Sequence, residues 1–236
     1  MSTNTDRPKA IVSLQSLPYR LGIVAIALVL LSSLGQIIKY TIGNDHLLGF
    51  TPLFSLNGEL NFPSYFSAGL HAFSAMLLLI IFSLKRRTID GMYWLVLAVG
   101  FFYLSIDEAF SFHEGLSAPV QKLFGHARLS GFYIMAWALA GLLIAVIVGL
   151  GYLKFLIRLA PVMRTAFLVS AAIFLGGALG MEMIGSWYME AHGFENPVYP
   201  TLWTIEESME MGGIIYFIRS LLQYLRAEYE SLTLFL

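Results

Sequence analysis

Cysteine is absent from the 236 residues, which excludes disulfides, a thiolate metal site and a cysteine nucleophile, and leaves the redox compartment unreadable. Charge is scarce as well. Asp, Glu, Lys and Arg make up 12% of the chain, against roughly 25% in an ordinary soluble domain. With 58% hydrophobic residues and a mean hydropathy of +0.74, there is too little polar surface to cover a water-soluble fold. A net charge of -1 excludes the basic footprint that nucleic acid demands, so no nucleic-acid partner is expected.

What is present is a series of long apolar runs. At about 20 apolar residues per crossing, the chain fits an all-α, polytopic transmembrane bundle of about six helices forming one domain over residues 1–236, with the lipid bilayer as its main partner. The spans are expected near 19–41, 64–84, 92–114, 131–152, 163–190 and 201–225, after a polar tail over 1–18. That tail precedes the first apolar run without a clean cleavage site after it, so the run reads as a retained helix. Pro18, Pro63 and Pro200 mark starts, and the connection 116–129 fits an interfacial helix. The fifth span is rich in small residues, Gly176, Gly177, Gly180 and Gly185, a composition that lets helices approach closely in lipid.

Basic residues give the orientation. Of the 14 Lys and Arg, 11 fall in the tails and the second and fourth connections, so both termini are expected in the cytoplasm, and a bacterial inner (plasma) membrane is the assumed setting. The acids run the other way. Eleven of the 15 Asp and Glu, and all five histidines, lie in the opposite half. A rise of about 1.5 Å per residue puts Asp107, Glu108, Glu182, Glu206, Glu207, Glu210 and His71 at one depth on four helices. Asp107 and Glu114, seven apart with Ser111 between, share a face of an unbroken third span, as do Glu206 and Glu210. A charged residue near the bilayer centre costs about 2.5 to 3.5 kcal/mol on the insertion scale. Such groups must therefore face the bundle interior, their repulsion relieved by protons, water or bound cations.

The leading expectation is a divalent metal (iron, manganese or zinc) held by Asp107, His113, Glu114, Glu182, Glu206 and Glu210, with Glu108 and Glu207 as spare catalytic bases. The chemistry is similar to that of carboxylate-bridged di-iron bundles, but their Glu-x-x-His motif does not occur here. His71 is a candidate cofactor ligand, and a haem or chlorin ranks below the carboxylate metal. The methionines beside Glu182 and Glu210 read as packing, because residues two apart point to opposite sides of a helix. The histidine boxes of membrane desaturases, a mid-span lysine for retinal, the His-Glu-x-x-His motif, the Gly-x-Ser-x-Gly elbow and a phosphate-cradling loop are all missing. An enzyme built on this plan would be a metal-dependent membrane oxidoreductase or hydrolase acting on a lipid-like substrate. Two other classes stay open: a non-catalytic subunit associated with other membrane subunits, and a cation or proton pathway. The pathway requires a polar trail toward the basic loops, and little of one is visible.

Overall fold

The computed structural model describes residues 16–43, 49–112 and 136–234, and among them every regular element is helical. Helix α1 is Leu17–Ile42, started by Pro18 and stopped by Gly43, which takes a left-handed conformation (φ 72°) and donates its N–H to the Lys39 carbonyl. Lys39 in the last turn suits the negative end of the helix dipole. A short helix, α2 (Phe50–Phe54), leads to α3 (Phe62–Lys85). Asn61 caps α3 by a reciprocal pair of bonds with Ser64. The Asn61 amide also donates to the Ser55 carbonyl at 2.7 Å, tying the α2 loop to the α3 entrance.

Helix α4 (Gly91–Phe110) returns antiparallel to α3, and the Ser105 hydroxyl crosses to the Ala68 carbonyl at 2.9 Å. Helix α5 is Ala136–Arg158. Helix α6 (Pro161–Leu175) passes through a π-helical turn, Gly176–Met181, into α7 (Glu182–His192). Helix α8, Val198–Leu234, is the longest. Met211, Ile214, Ile218 and Leu221, spaced three and four apart, are almost fully buried, so α8 carries much of the core.

Among the described residues, five segments are long and apolar enough to cross a membrane: α1, α3, α4, α5 and the continuous α6–α7 run, Pro161–His192. The sixth, α8, is long enough but too polar to meet the same standard, carrying Glu206, Glu207 and Glu210 in its first half and Arg219 and Arg226 in its second. This is an all-α transmembrane bundle. Its boundaries depart from the sequence expectation most at three places, the first being α5, which runs to Arg158 where an end at 152 is expected. The third span does not run unbroken to Glu114: α4 closes at Phe110, and Ser111 turns left-handed (φ 52°) with its N–H on the Asp107 carbonyl. The last helix extends beyond residue 225, to Leu234. The expected interfacial helix at 116–129 lies outside the described residues.

The two ends differ chemically. At the basic end, Lys85 pairs with Glu228 at 2.6 Å, and Arg158 pairs with Asp90 while lying 5.4 Å from the Tyr93 ring centre. Between that end and the mid-bundle, aromatic rings fill the interior. Trp94 meets Phe155 and Tyr224 at 4.9 Å, and Phe217 stacks on Phe101 at 4.8 Å and meets Phe167 at 5.1 Å. Among the described residues, close ring packing fills this region.

Candidate acidic site

The site is built around the first turns of α8. Glu206 and Glu210 are one turn apart and Glu207 lies beside them, all three partly buried. Glu206 hydrogen-bonds the side chain of Glu182, and Glu182 also accepts from the Ser186 hydroxyl at 3.2 Å. Glu207 lies within electrostatic reach of Glu108, Glu59 and Glu182. Glu210 lies within reach of Glu207, Glu108, Glu206 and Glu182. Among the described residues, the charged groups acting on the three α8 glutamates are carboxylates, from α8 itself and from α4, α7 and the loop before α3.

The π-helical turn is what aims Glu182 at α8. In an α-helix, residues five apart differ by about 140° around the axis. Here the Glu182 N–H reaches the Gly177 carbonyl, five residues back, and this wider turn lets Gly177 and Glu182 face α8 together. Gly177 is pressed so close that a Cβ added to it would lie 2.8 Å from the Glu206 carbonyl oxygen and 3.0 Å from Glu210 Cγ. On α8, Gly213 is as tightly placed, a Cβ there falling 2.7 Å from the Phe174 nitrogen. The Ser170 hydroxyl seals the same contact by donating to the Gly213 carbonyl at 2.7 Å. Of the fifth span's glycines, Gly176 and Gly177 make the close approach, whereas a Cβ on Gly180 would meet nothing within 4 Å. The methionines are packing residues: Met209 lies against Gly176 and Met211 is buried.

His71 and Asp107 form a separate part of the site. His71 is buried, its Nδ1 is 3.0 Å from the Ser67 carbonyl, and its Nε2 has no hydrogen-bond partner among the described residues. Asp107, also buried, is the charged group that acts on this imidazole. Neighbouring residues on a helix diverge by about 100°, so Asp107 serves His71 while Glu108 serves the α8 glutamates. The rings of Phe101 and Phe174 stand 6.0 Å and 5.6 Å from the imidazole, and a macrocycle bound at His71 would have to displace them.

The expected ligand set is thus only partly brought together. Glu206 bonds Glu182, Glu210 lies within electrostatic reach of Glu182, Glu206, Glu207 and Glu108, Asp107 acts on His71, and His113 and Glu114 lie outside the described residues. The shared face of Asp107 and Glu114 is not that of a continuous helix, because Ser111 ends α4 between them. Among the described residues no group of three His, Asp or Glu side chains is placed to hold a metal ion. One influence was not anticipated, that of Glu59, which is exposed and lies within electrostatic reach of Glu207. Its position depends on how the 55–61 loop folds over the bundle, and no sequence signal carries that. A search of curated proteins finds no match, and a search of solved structures finds none. Residues 21–225 match the model of a family described as a domain of unknown function, DUF8692, and the chain belongs to that family.

Proposed function

We propose that this protein binds a divalent cation among its acidic residues, just inside the non-cytoplasmic face of a bacterial inner membrane, with both termini in the cytoplasm. The observation that carries this is the company kept by Glu206, Glu207 and Glu210, whose charged neighbours among the described residues are themselves carboxylates. Two like charges 4 Å apart repel by about 4 kcal/mol at an effective dielectric constant of 20, so several together need protons or a cation. Glu182, Glu206 and Glu210 supply hard oxygen ligands suited to iron, manganese or zinc. Asp107, with His113 and Glu114 of the segment that follows, is the expected remainder of the set. Such a metal would supply Lewis acidity and an activated water, with Glu108 or Glu207 accepting the proton. A site at this depth suits a lipid-like substrate.

The aromatic packing below the acids argues against a through-going ion or proton pathway. The site reads as a dead end reached from the acidic face.

Elemental analysis of the purified protein tests the proposal, alongside Glu182→Gln and Glu210→Gln, which keep the side-chain volume. Near-stoichiometric metal in the parent chain, reduced at least tenfold in both variants with thermal unfolding unchanged, supports it. Metal-free protein after growth and purification with each of the three metals, or metal retained in both variants, overturns it.

A further inference from the structure

A cavity of about 200 Å³ opens at the acidic end, between the last turn of α1, the loop after α2 and the start of α8. Four of its lining residues are aromatic, Tyr40, Phe194, Tyr199 and Trp203, and Lys39 supplies a cation at its wall. The walls are fixed by hydrogen bonds. The Tyr40 hydroxyl donates to the Asn196 carbonyl at 2.8 Å. The Asn196 side-chain oxygen accepts from the Tyr188 hydroxyl and from the backbone N–H groups of Val198 and Tyr199, which caps α8 and anchors Phe194's loop to α7 and α8.

We infer that this cavity binds a zwitterionic phosphocholine-type headgroup, its quaternary ammonium among the four aromatic rings and its phosphate at Lys39. Ring faces attract a cation that water does not hold tightly, and boxes of Trp, Tyr and Phe are the usual receptors for alkylated ammonium groups. The Lys39 ammonium, 5.9 Å from the Tyr40 ring centre, already uses one such face. Tyr199 also lies within electrostatic reach of Glu182 and Glu206, so the negative field falls on the aromatic side and favours the ammonium there. A simple anion would leave those rings unused, and a simple cation would meet Lys39. The last turn of an apolar span is where a lipid headgroup lies. The inference goes beyond the metal proposal and does not require it.

The test is native mass spectrometry of the full chain titrated with phosphatidylcholine, phosphatidylethanolamine or phosphatidylglycerol, with free phosphocholine and inorganic phosphate as competitors. Phosphatidylcholine is expected to bind most tightly. Removing a ring by Tyr199→Leu or Phe194→Leu should weaken it about two- to fivefold, as one cation–π contact implies. Phe194 is mostly exposed, 64%, so its variant tests the box without disturbing the core. Lys39→Gln should weaken phosphatidylcholine and free phosphocholine alike. Competition by free phosphocholine at its own affinity assigns recognition to the headgroup alone. Displacement by lipid only, with the same ring dependence, adds the acyl chains to the site. Equal binding of phosphatidylglycerol, equal competition by inorganic phosphate, or ring variants that bind like the parent overturns the inference.

Discussion

The π-helical turn at Gly176–Met181 makes opposite predictions for removing and for adding one residue. Deleting Ala178 leaves Glu182 four residues after Gly177, which in an α-helix is about 400°, or 40° from alignment. The turn gives up its extra residue and Glu182 still faces α8, its Cα displaced by about 1.5 Å on a helix of radius 2.3 Å. Inserting an alanine after Ala178 adds a second extra residue that the turn has no means to absorb. Glu182 then swings by about 100°, which moves its Cα by about 3.5 Å and its carboxylate further, and the bond to Glu206 is lost. The absence of native cysteine makes the assay clean. Glu182→Cys with Glu206→Cys is cross-linked by a short thiol-reactive reagent, and Lys85→Cys with Glu228→Cys, replacing a 2.6 Å ion pair, reports at the other end that the bundle has folded. Cross-linking at 182 and 206 should persist in the deletion and disappear in the insertion, with the second pair reacting in both. Loss of the 182–206 cross-link in the deletion, with the control pair intact, would refute the reasoning, because an ordinary α-helix rotates by 100° when a residue is removed.

The remaining predictions concern stability, each read by thermal unfolding in detergent. Gly213→Ala places a methyl 2.7 Å from the Phe174 backbone nitrogen and should cost about 1–3 kcal/mol by overpacking; an unchanged midpoint would mean that α6 and α8 are further apart than described. Asn61→Ala removes the cap of α3 and its tie to Ser55, and should cost about 1 kcal/mol, with Asn61→Asp restoring most of the capping part. Lys85→Ala breaks a pair whose two side chains are each about one-quarter exposed, so its effect should stay below about 1 kcal/mol and shrink further in salt.

The acidic site was legible in the sequence as a depth and not as a geometry. Counting residues along each span places Glu182, Glu206, Glu207 and Glu210 at one level, and in the structure Glu210 lies within electrostatic reach of the other three and of Glu108. Depth along a helix carries no information about which of two adjacent acids faces which partner, so counting did not separate Asp107, which acts on His71, from Glu108, which acts on Glu207 and Glu210. Packing of α3 against α4, fixed by Ser105 on the Ala68 carbonyl, turned Asp107 to His71 and Glu108 to α8. Face arguments failed where the helix was not α-helical or not continuous. Ser111 stops α4 before Glu114 can share its face, and the π turn brings Glu182 to a face that a regular period would deny it.

By itself, then, the sequence determined the environment and the class of fold. Runs of about twenty apolar residues leave the backbone no partner but itself in lipid, and a bundle of helices is what such runs can form. The separation of basic from acidic ends was set in the same way, since it follows from composition along the chain. Only the tertiary structure decided the rest: the extra residue stored in the π turn, the pressing of Gly177 and Gly213 into the neighbouring backbone, the arrival of Glu59 over the bundle, and the aromatic cavity beside Lys39. Each of these depends on a rotation or a contact between segments far apart in the chain, which the local periodicity of hydrophobic residues does not encode.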